Sequence, residues 1–473
     1  MIWTDTFANN RQSSIFNTTL SENNARLAEL NRQDIRVIIG NPPYSVGQDN
    51  ANDDNQNEHY EELDGRIAAT YAARTEATLK NSLYDSYIRA YRWASDRIGE
   101  KGIIGFVTNA GWIDSNSADG MRKCLAEEFS AIYIYHLKGN QRTSGERSRQ
   151  EGGKVFGEGS RAPVAIVFLV KNPETTEHGK IYFHAVGDYL TRDEKLAELK
   201  RNVSIAHTQV NEIVPDAHGD WLNQRDDSYA RFMRVDGKKA SENSIFKNYS
   251  RGVATSRDAW VYGSNKRKVL EHVANSITFY NSQVKALAAN PNYEIDLDPK
   301  KMKWDRLQKN TILRGKIVED VSVSKLYLSY YRPFFTQYLY LDRFWNNCVY
   351  QMPAIFPTCE SKNLLICSSG VGSKEFSCLM TNCIVDLQLN FNGQCFPRWL
   401  PGEQAKEAED TFDFGEPSEM PSGFSPEALP HFQAAYLGKP ITEDDLFYYI
   451  YGILHSEDYR TRYANNLMKE LPR

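Results

Sequence analysis

The sequence predicts an α/β fold: a partial, doubly wound, Rossmann-like sheet over residues 1–205, then a mixed α+β domain over 206–473. Three observations predict it. Apolar runs at 35–39, 102–109, 131–137 and 163–171 are separated mostly by stretches of helical spacing, as in a largely parallel sheet. From about residue 206 the chain turns irregular, aromatic and basic. The first apolar run, Val37-Ile38-Ile39-Gly40, stops in Asn41-Pro42-Pro43-Tyr44. Proline has no backbone donor and a fixed φ, so this stop reads as a buried strand ending in a rigid loop. In open α/β sheets, ligands bind at that carboxyl edge.

The remaining elements follow in order. Ile2–Phe7 reads as a short strand containing Asp5, and Ser21–Arg32 as a helix with Leu27 and Leu30 on one face. Ser45–Asp64 is a long polar loop, of a length used for lids and binding loops. A helix spans 68–98, with Tyr84, Tyr87, Ile88 and Tyr91 as a core stripe and Gly99 as its stop. A short helix over 120–129 precedes the 131–137 strand, and a Gly/Arg-rich insertion over 138–161 leads into 163–171. No helix separates those last two strands, so an antiparallel hairpin at the sheet edge is expected. A strand at 181–186 and a charged helix at 193–202 close the first part. Beyond it, a helix is expected over 264–289, strands at 364–367 and 383–391, and a dense aromatic stretch at 327–341. Residues 401–430 read as an acidic, Pro-rich linker, and 443–471 as helical, with Thr442 as N-cap.

Composition narrows the class. The chain has 473 residues, enough for two or three domains with real cores. Aromatic residues make up 12% and charged residues 25%, which excludes a disordered chain. No apolar run approaches membrane-helix length and no signal-peptide pattern opens the sequence, so a cytoplasmic protein without membrane contact is expected. The 7 cysteines include no CxxC pair, which reads as reduced thiols and no metal site. The net charge of -5 hides a contrast. Residues 236–316 hold 16 Lys/Arg against 8 Asp/Glu, whereas 401–450 hold 2 against 11. A basic block in an acidic chain suits a confined polyanion-binding surface.

The motifs point to chemistry on an amine. At the end of a strand, the Asn41 amide and an adjacent carbonyl can accept both hydrogens of an exocyclic amino group. Tyr44 can stack on a flat ring. That set fits amino-methylation of a nucleobase or of a protein glutamine. The rest of the chain favours the base, because a glutamine methylase needs no further basic domain. The insertion also carries Arg142, Arg147, Arg149 and Lys154 on a glycine-hinged loop near the same edge. Such a loop suits phosphate contacts or entry into a duplex opened by base flipping.

With these residues in hand, the chain resembles a known family. The strand with Asn-Pro-Pro-Tyr, Gly105-Phe106-Val107-Thr108-Asn109, the 139–156 loop and the 163–171 strand look like the later motifs of an adenine-N6 DNA methyltransferase. Tyr331-Arg332-Pro333-Phe334 and the stretch Phe447–Ser456 look like the specificity region of Type ISP restriction–modification enzymes of the LlaBIII type. The resemblance implies that Asn41 and Pro42 hold the adenine amino group, with Pro43 completing the motif and Tyr44 stacking on the flipped base. It also implies S-adenosylmethionine as cofactor and double-stranded DNA as partner. Lys266, Arg267, Lys268 and Arg332 are then candidate DNA contacts beside the loop cations.

The family's glycine-rich cofactor turn should precede Asn-Pro-Pro-Tyr, yet no glycine occurs before Gly40. Only Asp5 stands as a weak cofactor-edge candidate. The chain therefore reads as half a methyltransferase domain plus a specificity domain. The cofactor-binding half, nuclease and translocase are expected on an upstream or companion polypeptide. The alternative is a non-catalytic DNA-recognition module, retained as a specificity subunit or left as a truncated remnant.

Overall fold

Alternating apolar residues build the first sheet of the computed structural model. It describes residues 5–7, 21–43, 59–77, 79–143, 145–156, 161–237, 243–373, 375–401 and 420–473. Two units form, Met1–Gln224 and Arg225–Arg473.

In the first unit, helix α1 (Ser21–Arg32) precedes strand β1 (Val37–Gly40). Helix α2 (Glu61–Ile67) runs on through a π-helical turn at Ala68–Ala72, and α3 (Ser86–Arg97) follows. The single helix expected over 68–98 is thus interrupted. Side chains compete with the helical backbone here: Thr75 Oγ1 accepts from the Ala77 amide, and Asp119 from the Glu76 amide. Next come β2 (Gly102–Asn109), α4 (Asp119–Glu128), β3 (Ala131–His136), α5 (Gly145–Glu151) and β4 (Val164–Lys171). Strand β5 (Lys180–Ala185), helix α6 (Arg192–Asn202) and strand β6 (Asn211–Ile213) complete the unit. Helix α6 opens with a capping box between Thr191 and Glu194.

The strand order is β1-β2-β4-β3-β5-β6. Strands β1 and β2 are parallel, as are β3 and β5, while β4 runs antiparallel to both of its neighbours. The expected β3–β4 antiparallel pair forms, but not at the edge, and the connection expected to hold no helix carries the short α5. Strand β4 lies between β2 and β3, and its long apolar sequence is satisfied by ladders on both sides. One sheet face is sealed: Ile104, Phe106, Ile132, Ile134, Val167 and Leu169 pack with Tyr91, Met121 and Leu125 from the helices.

The first unit runs to Gln224, within the 200–225 interval in which the boundary is expected. Strand β6 pairs with β5, and Trp221 is buried edge-on against Trp112. Arg122, fully buried, donates to the Gly219 carbonyl and pairs with Asp220 at 2.9 Å, which ties 219–221 into this core.

The second unit holds two four-stranded sheets and a parallel pair, β7 (Arg234–Asp236) with β8 (Ser244–Phe246). The other strands are β9 (Ser250–Arg251), β10 (Tyr262–Gly263), β11 (Leu326–Arg332), β12 (Phe335–Tyr340), β13 (Leu365–Ser368), β14 (Cys378–Thr381), β15 (Ile384–Val385) and β16 (Gln394–Pro397). Their orders are β10-β12-β11-β15 and β14-β13-β16-β9. The strand expected over 383–391 is cut to two residues, because Asp386 turns the chain: its side chain accepts from the Gln388 amide at 2.8 Å and its carbonyl from the Leu389 amide at 3.1 Å.

Helix α7 (Lys266–Ala289) matches its periodicity and starts at Asn265, whose side chain accepts from the Lys268 amide. The helical end divides into α8 (Glu443–His455), α9 (Glu457–Arg462) and α10 (Ala464–Lys469). Thr442 caps α8 in a capping box with Asp445. Most of the expected 401–430 linker, most of the 45–64 loop and the start of the Ile2–Phe7 strand lie outside the described residues; 5–7 form a bend.

Candidate functional site

The ends of β1, β2 and β3 share one sheet edge, because these strands run the same way. Gly40 ends β1 against Phe106, where an added Cβ would stand 3.2 Å from the ring, so glycine lets the strand seat closely. Asn41 and Pro43 are exposed and Pro42 half-buried; Tyr44 lies outside the described residues. Phe106, beside Gly40, belongs to an aromatic cluster in the sealed core. Tyr91 meets Phe106 edge-on at 5.2 Å and Trp112 at 5.3 Å. At the end of β2, the Asn109 side chain accepts from the Gly111 amide at 2.8 Å and caps the next turn.

Strand β1 departs from the buried strand its apolar sequence predicts. Val37 is 60% and Ile39 82% exposed. The register places them on one face with Ile103, 44% exposed, and with Phe168, which pairs with Gly105 and is 37% exposed. This is a continuous apolar strip on the face opposite the sealed core. Among the described residues β1 also pairs only with β2, leaving its other edge open. A sheet edge and face of this kind are normally paired or covered.

Asp5 is engaged locally. Its carboxylate accepts from the Phe7 amide at 2.9 Å and from the Tyr60 hydroxyl at 3.2 Å, with Phe7 packed edge-on against Tyr60. Tyr60 in turn lies beneath Arg89, which forms a bidentate pair with buried Asp64. These groups lock the bend at 5–7 onto the start of α2. The described residues around the edge supply no glycine-rich turn, so they do not by themselves fit S-adenosylmethionine.

The 138–161 insertion leaves β3 at the same edge and is anchored. Arg142, Arg147 and Lys154 are exposed, and Arg149 pairs with Glu146 at 3.2 Å. Behind them the Lys195 ammonium is buried and donates to the Glu151 carbonyl at 2.7 Å and to the Gly153 carbonyl at 2.8 Å. Burial pulls its pKa down to about 8. Gly152, at φ 66°, and Gly153 lie so close to the 190–192 backbone that a Cβ on either would collide with it. Neither Lys195 nor this clamp is apparent in the sequence, where a lysine in a charged helix reads as solvated. At the root of the loop, His136 accepts from the Lys138 amide through Nδ1 at 3.2 Å. Burial, with Lys138 and Lys195 nearby, lowers its pKa to about 4.

In the second unit, Lys266, Arg267 and Lys268 form the exposed first turn of α7, with the Lys266 ammonium 5.0 Å above the Tyr338 ring. Three cations at the positive end of a helix dipole weaken the helix, an arrangement that an approaching anion would relieve. Arg332 is otherwise engaged. It pairs with Asp386 at 2.6 Å, stacks 3.9 Å over Tyr331 and lies 3.7 Å from Asp258. Among the described residues no three His, Cys, Asp or Glu side chains cluster as metal ligands, and no helix is long and apolar enough to cross a membrane.

Comparison with known proteins places these features. Residues 2–142 match the Eco57I restriction-modification methylase family, and 244–473 the Type ISP C-terminal specificity domain. A nuclease-deletion mutant of the Type ISP enzyme LlaGI, solved with a DNA substrate mimic, is 38% identical over 100% of this chain, with a TM-score of 0.80. The DrdV–DNA complex is 36% identical over 96% of the chain (TM-score 0.78), and DNA-bound LlaBIII 32% identical over 100% (TM-score 0.80). The chain spans only 42%, 44% and 30% of those three proteins, respectively. No curated protein matches it in sequence. Two domain matches in the family's order, with full-length similarity to its solved members, establish that the chain belongs to the Type ISP restriction–modification family, as its methylase and C-terminal specificity portion.

Proposed function

We propose that this chain is the base-holding and DNA-reading portion of an adenine-N6 DNA methyltransferase, completed by a segment that binds S-adenosylmethionine. The observation that carries the reading is Asn41-Pro42-Pro43 at the open end of β1, beside an uncovered apolar face. The Asn41 side-chain carbonyl and the Pro42 backbone carbonyl accept the two N6 hydrogens, which concentrates the nitrogen lone pair for attack. Pro43 holds the loop rigid and Tyr44 stacks on the flipped base. S-adenosylmethionine supplies the methyl group when bound. The exposed strip of Val37, Ile39, Ile103 and Phe168 accepts the cofactor-binding segment, on the same chain or a companion polypeptide that also carries nuclease and translocase.

Double-stranded DNA is read by the second unit. Lys266, Arg267 and Lys268 contact phosphates, and the loop cations Arg142, Arg147, Arg149 and Lys154 approach the duplex at the catalytic edge. The Asp386 and Asp258 pairings make Arg332 a structural support for its hairpin more than a phosphate contact. A salt titration of duplex binding tests this. Replacing Lys266, Arg267 and Lys268 by alanine lowers the slope of log K against log salt by about 3. An unchanged slope removes these residues from the interface.

A further inference from the structure

Strands β11 and β12 are joined by a two-residue turn, Pro333-Phe334, between the paired residues Arg332 and Phe335. Proline suits the first position of such a turn. The second, at positive φ, is where glycine or asparagine is normally found. Here it holds Phe334, at φ 64° and 90% exposed. A bulky residue in the left-handed region with its ring in water is disfavoured twice. The surrounding structure nevertheless fixes it. The Phe334 amide donates to the Tyr330 hydroxyl at 3.0 Å, Arg332 is pinned by Asp386 and Tyr331, and Phe335 meets Tyr331 edge-on. The two carboxylates at the base of the turn, Asp386 and Asp258, both face Arg332.

Further along the same hairpin, Tyr338 carries the Lys266 ammonium, at the head of the exposed Lys266–Lys268 turn. Five residues beyond Asp386, Phe391 repeats the pattern on a smaller scale, at φ 49° and 51% exposed. A single rigid ring at the tip of a narrow turn offers little area to a protein surface. It matches the gap between stacked base pairs, and the exposed cations that would meet phosphates stand on α7, where the Lys266 ammonium lies over Tyr338 of the same hairpin.

We propose that Phe334 is a wedge that inserts at a base step of duplex DNA and unstacks it. This rests on the DNA-reading role of the second unit. It adds a specificity mechanism, because a step that opens easily, such as a pyrimidine–purine step, favours binding where no side chain contacts base edges.

The test uses the full chain and one duplex enriched from a random pool for binding to it, with 2-aminopurine placed at successive adenines. Wild type should raise the fluorescence at one step. Phe334→Gly relieves the turn, so its melting temperature should be unchanged or higher. It should lose the fluorescence rise and bind about tenfold more weakly. Phe334→Trp should keep both. Wild-type unstacking and affinity in Phe334→Gly would overturn the wedge while leaving the DNA reading intact. Absence of duplex binding by wild type would overturn both.

Discussion

His136 shows how a single residue couples the loop root to pH. Its Nδ1 accepts from the Lys138 amide, a bond available only to the neutral ring, and Lys138 and Lys195 stand near it. The folded-state pKa of about 4 lies below the ordinary 6.5, so between those values the unfolded chain binds more protons. The contribution of neutral His136 to stability is complete above pH 6.5 and is lost as pH falls toward 4. Denaturant midpoints measured across this window should fall with acid in wild type and fall less in His136→Asn, which keeps an acceptor without the titration. Equal acid sensitivity in both proteins would rule out His136 as the cause. The sequence shows this histidine ending a strand before a glycine. It does not show the two lysines, because one of them arrives from a helix more than 50 residues later.

Among elements, the basic insertion gained the most from the structure. Its composition, glycine and arginine between two strands, is legible as a loop that carries cations to the sheet edge. Its rigidity is not, because that depends on Lys195 reaching two carbonyls and on the Gly152-Gly153 backbone meeting 190–192. Lys195→Met retains much of the bulk but leaves both carbonyls without that donor. It should destabilise the first unit by about 1–3 kcal/mol. Amide exchange should accelerate through 139–156, and duplex affinity should weaken with it. Exchange unchanged in the loop would show that the clamp does not hold it. Strand β4 teaches the same lesson in another form. Its antiparallel pairing with β3 was expected on the ground that no helix joins the two, yet α5 stands in that connection, and its insertion between β2 and β3 depends on a pairing choice that periodicity does not encode.

At the scale of the whole molecule, four apolar runs separated mostly by helical spacing were enough to read the α/β class, and the Asn-Pro-Pro motif sits at the sheet edge its sequence predicts. Arg122 and Trp112 hold residues 219–221 in the first core, a long-range effect with no local signal. The most consequential difference is β1. An apolar strand was expected to be buried, yet Val37 and Ile39 stand in solvent beside a strand edge that is open among the described residues. The proposed cofactor-binding segment covers that strip. Replacing Ile39 by lysine should leave the melting temperature of this chain nearly unchanged, since the side chain is already exposed, and should block assembly with that segment. The most direct measurement is transfer of tritiated methyl from S-adenosylmethionine to adenine in duplex DNA. It compares this chain alone, this chain with the cofactor-binding segment of a Type ISP enzyme, and the same mixture carrying Asn41→Ala. The account predicts no transfer alone, transfer on mixing, and a loss of about 100-fold or more in Asn41→Ala; transfer by this chain alone, or undiminished transfer by Asn41→Ala, would contradict it.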